Sequence, residues 1–232
     1  DNSILGQGGD DILNGESGAD ILSGGDGADT LTGGLGDDTL SGDVGDDTLR
    51  GDSGDDVLDG GAGNNTVDYS GNFSVAVDLA DTNIQNTLGA GSDTLTNFNN
   101  IIASNANDTL DGNSAVNTIN AGSGDDTING LSGDDSLFGE SGNDLFIASS
   151  DSAIMDGGAD SDTADYSATT GVSVDLNGSV AVTAANNLGN DQLLNIENIL
   201  GSNTASDTLE GDSQNNSLFS QGGDDTLVAS DG

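Results

Sequence analysis

Glycine, aspartate and an aliphatic residue recur in this chain in fixed phase, nine residues apart, and no other feature limits its fold so strongly. Cut from Gly6, the sequence reads GQGGDDILN, GESGADILS, GGDGADTLT, GGLGDDTLS, GDVGDDTLR, GDSGDDVLD and GGAGNNTVD. Glycine holds the first and fourth places of every one of these repeats. The eighth place is Leu13, Leu22, Leu31, Leu40, Leu49, Leu58 and Val67, and the sixth is aspartate from Asp11 to Asp56, with Asn65 in the last repeat. A disordered acidic segment has no reason to keep such phase, so the repeat is structural.

Each place has a physical reading. Glycines at places one and four permit positive φ and close backbone approach, as a tight loop demands. Places seven to nine, as in Thr30-Leu31-Thr32, alternate polar, apolar and polar. That pattern predicts a very short strand with one side chain inward. Two loop-and-strand units make a coil of eighteen residues, and successive coils stack as parallel strands about 4.8 Å apart.

That stacking places Asp11, Asp29 and Asp47 in one column and Asp20, Asp38 and Asp56 in the column opposite. Charges ~5 Å apart repel by roughly 0.8 kcal/mol in water and about 3 kcal/mol at an effective dielectric of 20. One aliphatic side chain per short strand does not offset this many times over. Nor can the chain's own cations: the formal charge is −41 and Arg50 is the only basic residue. A hard divalent cation taking carboxylate and carbonyl oxygens is required. Calcium, which takes roughly six to eight oxygens, fits better than magnesium, which holds its waters. Several calcium ions are therefore expected.

Composition excludes much else. Cysteine, histidine, lysine, tryptophan and proline are absent, which removes a disulfide framework, a zinc site of the usual type, nucleophilic triads and Schiff bases. No catalytic residue is predicted, and the chain is read as no enzyme. Paired carboxylates can serve a glycosidase, but here the regular aspartates already have a structural task. The negative surface repels nucleic acid and anionic membrane, and no apolar run approaches ~18 residues. Thr30, Thr48 and Thr66 line one face, but Ile12, Arg50 and Asp68 interrupt it, so the threonines are read as exposed strand formers rather than an ice-binding ladder. Asp1 opens in mid-pattern without a signal peptide, and Met155 is the single methionine, so the chain reads as a piece of a longer precursor.

GGDGADTLT satisfies the pattern G-G-x-G-x-D-x-U-x at every specified place, and the sequence resembles the RTX (repeats-in-toxin, hemolysin-type calcium-binding repeat) family. The resemblance covers 6–68, 103–165 and 202–228 and implies an all-β fold, a right-handed parallel β-roll or β-solenoid with calcium between loops on the same side. In such rolls the ion takes backbone oxygens at places two and four and the aspartate of one loop. It also takes backbone oxygens at places one and three and the aspartate of the loop eighteen residues on. Carried onto this chain, the loops starting at Gly24 and Gly42 offer Gly25, Gly27, Asp29, Gly42, Val44 and Asp47. Those starting at Gly33 and Gly51 offer Gly34, Gly36, Asp38, Gly51, Ser53 and Asp56. The corresponding places elsewhere are Gly9, Gly18, Gly45, Gly122, Gly124, Gly139, Ser141, Gly142, Gly157 and Ala159. Each central aspartate then bridges two ions, and Asn65 makes the last site of the first block weaker. In the second block Asp108, Asp126, Asp135, Asp144 and Asp162 hold the sixth place, Asn117 replaces it once and Ala153 leaves a gap. In the third, Asp207 and Asp225 match and Asn216 does not.

The expected organisation is three repeat blocks, 1–68, 103–165 and 202–232, separated by 69–102 and 166–201. These two stretches break the period yet resemble each other: DYS stands at 68–70 and 165–167, SVAVDL at 74–79 aligns with GVSVDL at 171–176, and DTLTN at 93–97 with DQLLN at 191–195. Their aliphatic alternation predicts strands, and they are read as wider, irregular coils of one solenoid, with Tyr69 and Tyr166 as packing residues at the corners.

Together these readings predict a non-catalytic calcium-binding structural module of a secreted or cell-surface protein, such as an adhesin, surface-layer or matrix component. It would be unfolded where calcium is scarce and folded by calcium outside the cell; the resemblance adds type I secretion. The alternative is an accessory secretion and folding module of a type I-secreted enzyme or toxin. Expected partners are calcium ions, with no nucleic acid and no membrane insertion. The open faces at Asp1–Leu5 and Thr226–Gly232 leave end-to-end or side-by-side self-association open.

Overall fold

A strand with one apolar residue among three can bury it only against strands of its own coil, so the fold must be a wound one. The computed structural model describes residues 1–71, 73–149, 151–177, 190–230 and the backbone of 181–183. Parts of the 166–201 stretch and the end of the Thr226–Gly232 face thus lie outside the described residues. The architecture is all strand, a parallel β-solenoid without a helix among the described residues, and accordingly none of these residues forms a helix long and apolar enough to cross a membrane. The chain divides into two compact units, Asp1–Gly112 and Asn113–Gly232.

In the first unit, Ser3–Gly8, Ile21–Asp26, Thr39–Val44, Val57–Asp59 and Ser92–Thr96 form one parallel sheet. The opposite sheet is Ile12–Ser17, Thr30–Leu35, Thr48–Ser53, Thr66–Asp68 and Asn100–Ile102. Register advances by eighteen residues per step, as in Ile21↔Thr39 and Thr30↔Thr48. It then lengthens at the irregular stretch, where Val57 pairs with Thr94 and Thr66 with Asn100. Ala76–Asp78 pairs in parallel with Thr109–Asn113, and Ile84–Asn86 turns back antiparallel against Ser92–Thr96.

The second unit repeats the plan. Thr118–Asn120, Ser136–Phe138, Ile154–Asp156 and Asn190–Leu194 line one side. Thr127–Leu131, Leu145–Ile147, Thr163–Asp165, Asn198–Leu200 and Ser217–Phe219 line another, and Ser173–Asp175, Thr208–Glu210 and Thr226–Val228 form a third. Ala181–Thr183 turns back antiparallel on Asn190–Leu194, matching the antiparallel strand of the first unit.

The core of each unit is the eighth-place row. Leu22, Leu31, Leu40, Leu49, Leu58 and Val67 are buried in the first, and Ile119, Ile128, Leu137, Phe146, Met155 and Ala164 in the second. Two details differ from the sequence expectation. The six strands from Ser3–Gly8 to Thr48–Ser53 are six residues long rather than three, because loop residues also pair in register, Glu16 with Gly34 and Ser17 with Leu35, and carry the ladder round the corner. The outward row of Thr30, Thr48 and Thr66 contains Ile12, but Arg50 stands in a separate row opposite Thr32.

Candidate metal-ion columns

The aspartate at the sixth place ends each loop just before the strand begins, and its backbone is fixed on both sides. Its amide donates to the aspartate eighteen residues on: Asp11 to Asp29 Oδ1, Asp20 to Asp38, Asp29 to Asp47 and Asp38 to Asp56, each at 2.8 Å. The same bond joins Asp126 to Asp144 at 2.9 Å and Asp144 to Asp162 at 2.8 Å in the second unit. Each column is therefore a ladder in which one carboxylate oxygen serves the neighbouring backbone.

The second oxygen has no such use. Oδ2 of Asp11, Asp20, Asp29, Asp38, Asp47, Asp56, Asp135, Asp144 and Asp162 is buried without a hydrogen-bond partner. An unmet buried acceptor costs about 1–3 kcal/mol, and more when charged, so its repetition points to a ligand. Place-one glycine keeps the space beside that oxygen open. A Cβ added to Gly15 would stand 2.6 Å from Asp20 Oδ2 and 2.7 Å from the Gly33 carbonyl oxygen. A carboxylate oxygen and a carbonyl oxygen of the next coil thus converge on one small volume. The convergence recurs at Gly42, between Asp47 Oδ2 and Gly60 O, and at Gly139, between Asp144 Oδ2 and Gly157 O. At place four, Gly36 has φ 124° and packs so closely on the Gly18 carbonyl that a side chain would collide with it.

Electrostatics mark the same atoms. Burial pushes Asp56 and Asp162 up to about 7 and Asp144 to about 6, with neighbouring carboxylates adding to the rise. Burial likewise raises Asp38, Asp47 and Asp135. A cation beside Oδ2 would reverse that penalty. Arg50 is not that cation, since its guanidinium donates to Asp68 and Ser70 Oγ. Among the described residues no three acidic side chains converge on one point. The carboxylates are instead strung along columns, so further ligands have to be backbone oxygens. That mixture of carboxylate and carbonyl donors, with no nitrogen or sulfur, fits calcium.

Several backbone oxygens singled out by the sequence already accept one hydrogen bond. Val44 O accepts from Gly27 N and Ser53 O from Gly36 N, both at 2.9 Å, and Gly122 O accepts from Ser141 N at 3.0 Å. A carbonyl has two acceptor sites, so each keeps one. Asp225 is half-buried and accepts from Asp207 N at 2.9 Å. Asn65 keeps the ladder, accepting from Asp47 N at 3.0 Å, but turns its Nδ2 donor to Asn97 O at 3.1 Å. Asn216 accepts from the nearby Asp212 amide at 2.8 Å. Ala153, buried, offers no carboxylate.

Asp108 and Asp207 match the repeat yet sit differently. Ser104 donates its amide to Asp108 Oδ2 at 2.8 Å and its hydroxyl reaches both oxygens at 2.9 Å. Ser202 does the same for Asp207, at 2.8 Å from the amide and 3.0 and 3.1 Å from the hydroxyl. Sequence reasoning missed Asp93 and Asp191, which also stand in the columns. The available signal was glycine two residues before and leucine two after, as in Gly91-Ser92-Asp93-Thr94-Leu95.

The model of the RTX calcium-binding nonapeptide repeat matches residues 1–31, 32–67, 97–128, 111–146, 129–164 and 202–232, well over half of the chain. A comparison with curated proteins gives no match. With the eighteen-residue carboxylate ladders, their bare inner oxygens and these matches together, the chain belongs to the RTX calcium-binding nonapeptide repeat family and is a calcium-binding structural module.

Proposed function

We propose that this module is a calcium gate on folding, carried by a protein that works outside the cell. The observation that carries the reading is the row of buried Oδ2 atoms without donors. Two aliphatic side chains per coil contribute about 3–6 kcal/mol, whereas each ionised carboxylate taken from water costs several kcal/mol. Two such carboxylates per coil cancel the leucines, and a formal charge of −41 adds repulsion throughout. Calcium reverses the balance because its binding free energy becomes folding free energy.

In this reading Asp11, Asp20, Asp29, Asp38, Asp47, Asp56, Asp126, Asp135, Asp144, Asp162 and Asp225 are ligands, completed by the loop carbonyls at places one to four. Backbone amides hold Oδ1 of Asp20, Asp29, Asp38, Asp47, Asp56, Asp135, Asp144, Asp162 and Asp225, which aims Oδ2 at the gap between loops. A place-one glycine keeps that gap clear everywhere but before Asp126 and Asp225, where Ala121 and Ser220 stand. The ion supplies the charge that two facing carboxylates lack. The chain stays open where calcium is scarce, which suits passage through a type I secretion channel, and closes at millimolar calcium outside. Its role in an adhesin, surface-layer or matrix protein is mechanical rather than catalytic.

Circular dichroism of the chain in chelator, magnesium and calcium tests this. The β signal is expected to be absent in chelator, to appear cooperatively with calcium and not to appear at equal magnesium. Full β structure in chelator would contradict it. Light scattering on the same samples separates a solitary module from one that assembles.

A further inference from the structure

Asp93 stands one step beyond Asp56 in its column. The Asp56 amide donates to Asp93 Oδ1 at 3.0 Å across 37 residues, the bond that links Asp38 to Asp56 across eighteen. Asp191 takes the equivalent step beyond Ala153, whose amide donates to its Oδ1 at 2.9 Å across 38 residues. Both carboxylates are buried, 0% and 3% exposed, as fully as the regular ones.

Their second oxygen is not bare. Tyr69 Oη donates to Asp93 Oδ2 at 2.8 Å, joined by Thr87 Oγ1 at 2.9 Å. Tyr166 Oη donates to Asp191 Oδ2 at 2.8 Å. These are the chain's only tyrosines; both are buried, and each comes from one of the DYS tripeptides that open the irregular stretches. The glycine that leaves room beside Oδ2 of Asp47, Asp56 and Asp144 is replaced here by a larger side chain: five residues before Asp93 stands Leu88. The serine clasps on Asp108 and Asp207 complete the pattern on the turn that follows each stretch.

We propose that the irregular stretches are stops in the ion columns, where tyrosine and serine donors take the place of calcium, so that Asp93, Asp108, Asp191 and Asp207 bind no ion. For Asp93 and Asp191 the physical reason lies in spacing. A calcium site in this fold draws on two loops one regular coil apart, and a coil of 37 or 38 residues brings the next loop from a different stretch of backbone. A hydroxyl needs only the one carboxylate it faces. Aspartates equivalent in the repeat therefore fall into two chemical classes, distinguished by what approaches Oδ2.

The inference rests on the calcium reading of the regular turns, and the experiment separates the two. Bound calcium is counted by elemental analysis after equilibrium dialysis for the full chain, for Asp47→Asn and for the double variant Asp93→Asn/Asp191→Asn. Asp47→Asn is expected to lose at least one ion and the double variant none. Loss of an ion from the double variant would overturn the inference while leaving the calcium reading in place. No loss from Asp47→Asn would overturn the calcium reading, and this inference with it. Should the double variant fail to fold, nuclear magnetic resonance of the calcium-loaded wild type decides. Slowly exchanging Tyr69 and Tyr166 hydroxyl protons with cross-peaks to the Asp93 and Asp191 methylenes would support the stops; hydroxyls in free exchange with water would overturn them.

Discussion

The regular turns and the irregular stretches hold the same group, a buried aspartate bonded to the backbone of the coil before it, and complete it from different sources. Beside Asp56 the place-one residue is Gly51 and Oδ2 is buried without a donor; beside Asp93 it is Leu88, and Oδ2 receives two hydroxyls. In the first case the donor arrives from solution, and stability follows its concentration. In the second it is part of the chain, and stability does not. Position in a repeat fixes where a carboxylate sits. The residues around its second oxygen decide whether it calls for an ion.

The strongest way to break this comparison is to close the space. Gly42→Ala puts a Cβ 2.6 Å from Gly60 O and closer still to Asp47 Oδ2. It is expected to abolish a site and raise the calcium midpoint of folding by about tenfold or more, equivalent to ~1.4 kcal/mol. Leu88→Ala, at the same place in the irregular stretch, is expected to change stability by no more than about 0.5 kcal/mol. Calcium titrations followed by circular dichroism compare the two.

Removing the internal donor should be costly in a different currency. Tyr69→Phe leaves a buried carboxylate oxygen short of a donor, and a loss of about 1–3 kcal/mol at saturating calcium is expected. The count of bound ions should not change. Denaturant melts in calcium, with dialysis alongside, read both.

Asn65→Asp sharpens the boundary between the classes. It replaces the Nδ2 donor facing Asn97 O with a carboxylate oxygen, a repulsive pair unless a cation enters. The variant is expected to fold at severalfold lower calcium than wild type. An unchanged midpoint would show that the first column ends for reasons other than its missing charge.

The smallest effect is one of pH. Burial holds Asp191 at about 6, above the ordinary carboxylate value, despite its bond from Tyr166. The folded state thus keeps a proton that the unfolded chain releases. This contribution is fully present below about pH 4 and is lost as pH rises through 6. Thermal melts at pH 5 and pH 7 in saturating calcium should show a gain at pH 5 that Asp191→Asn lacks.

Much of this was legible in the sequence because nine-residue phase fixes register directly. The leucine row, the parallel stacking and the pairing of Asp29 with Asp47 follow from counting. The antiparallel strands Ile84–Asn86 and Ala181–Thr183 were not legible, since they lie where the period fails. Nor were the hydroxyl clasps, because Tyr69 meets Asp93 across 24 residues and Tyr166 meets Asp191 across 25. A second, outer ladder also escaped notice. Asp10 Oδ1 accepts from Ala28 N at 2.9 Å and Asp46 Oδ1 from Asn64 N at 2.8 Å, because the fifth place, though often acidic, also holds alanine.

Crystals grown in calcium and measured for its anomalous scattering would place every ion directly. Peaks are expected beside Oδ2 of the regular aspartates, between loops eighteen residues apart, with none at Asp93 or Asp191. An ordered solenoid lacking peaks between Asp29 and Asp47, or between Asp38 and Asp56, would contradict the account at its root.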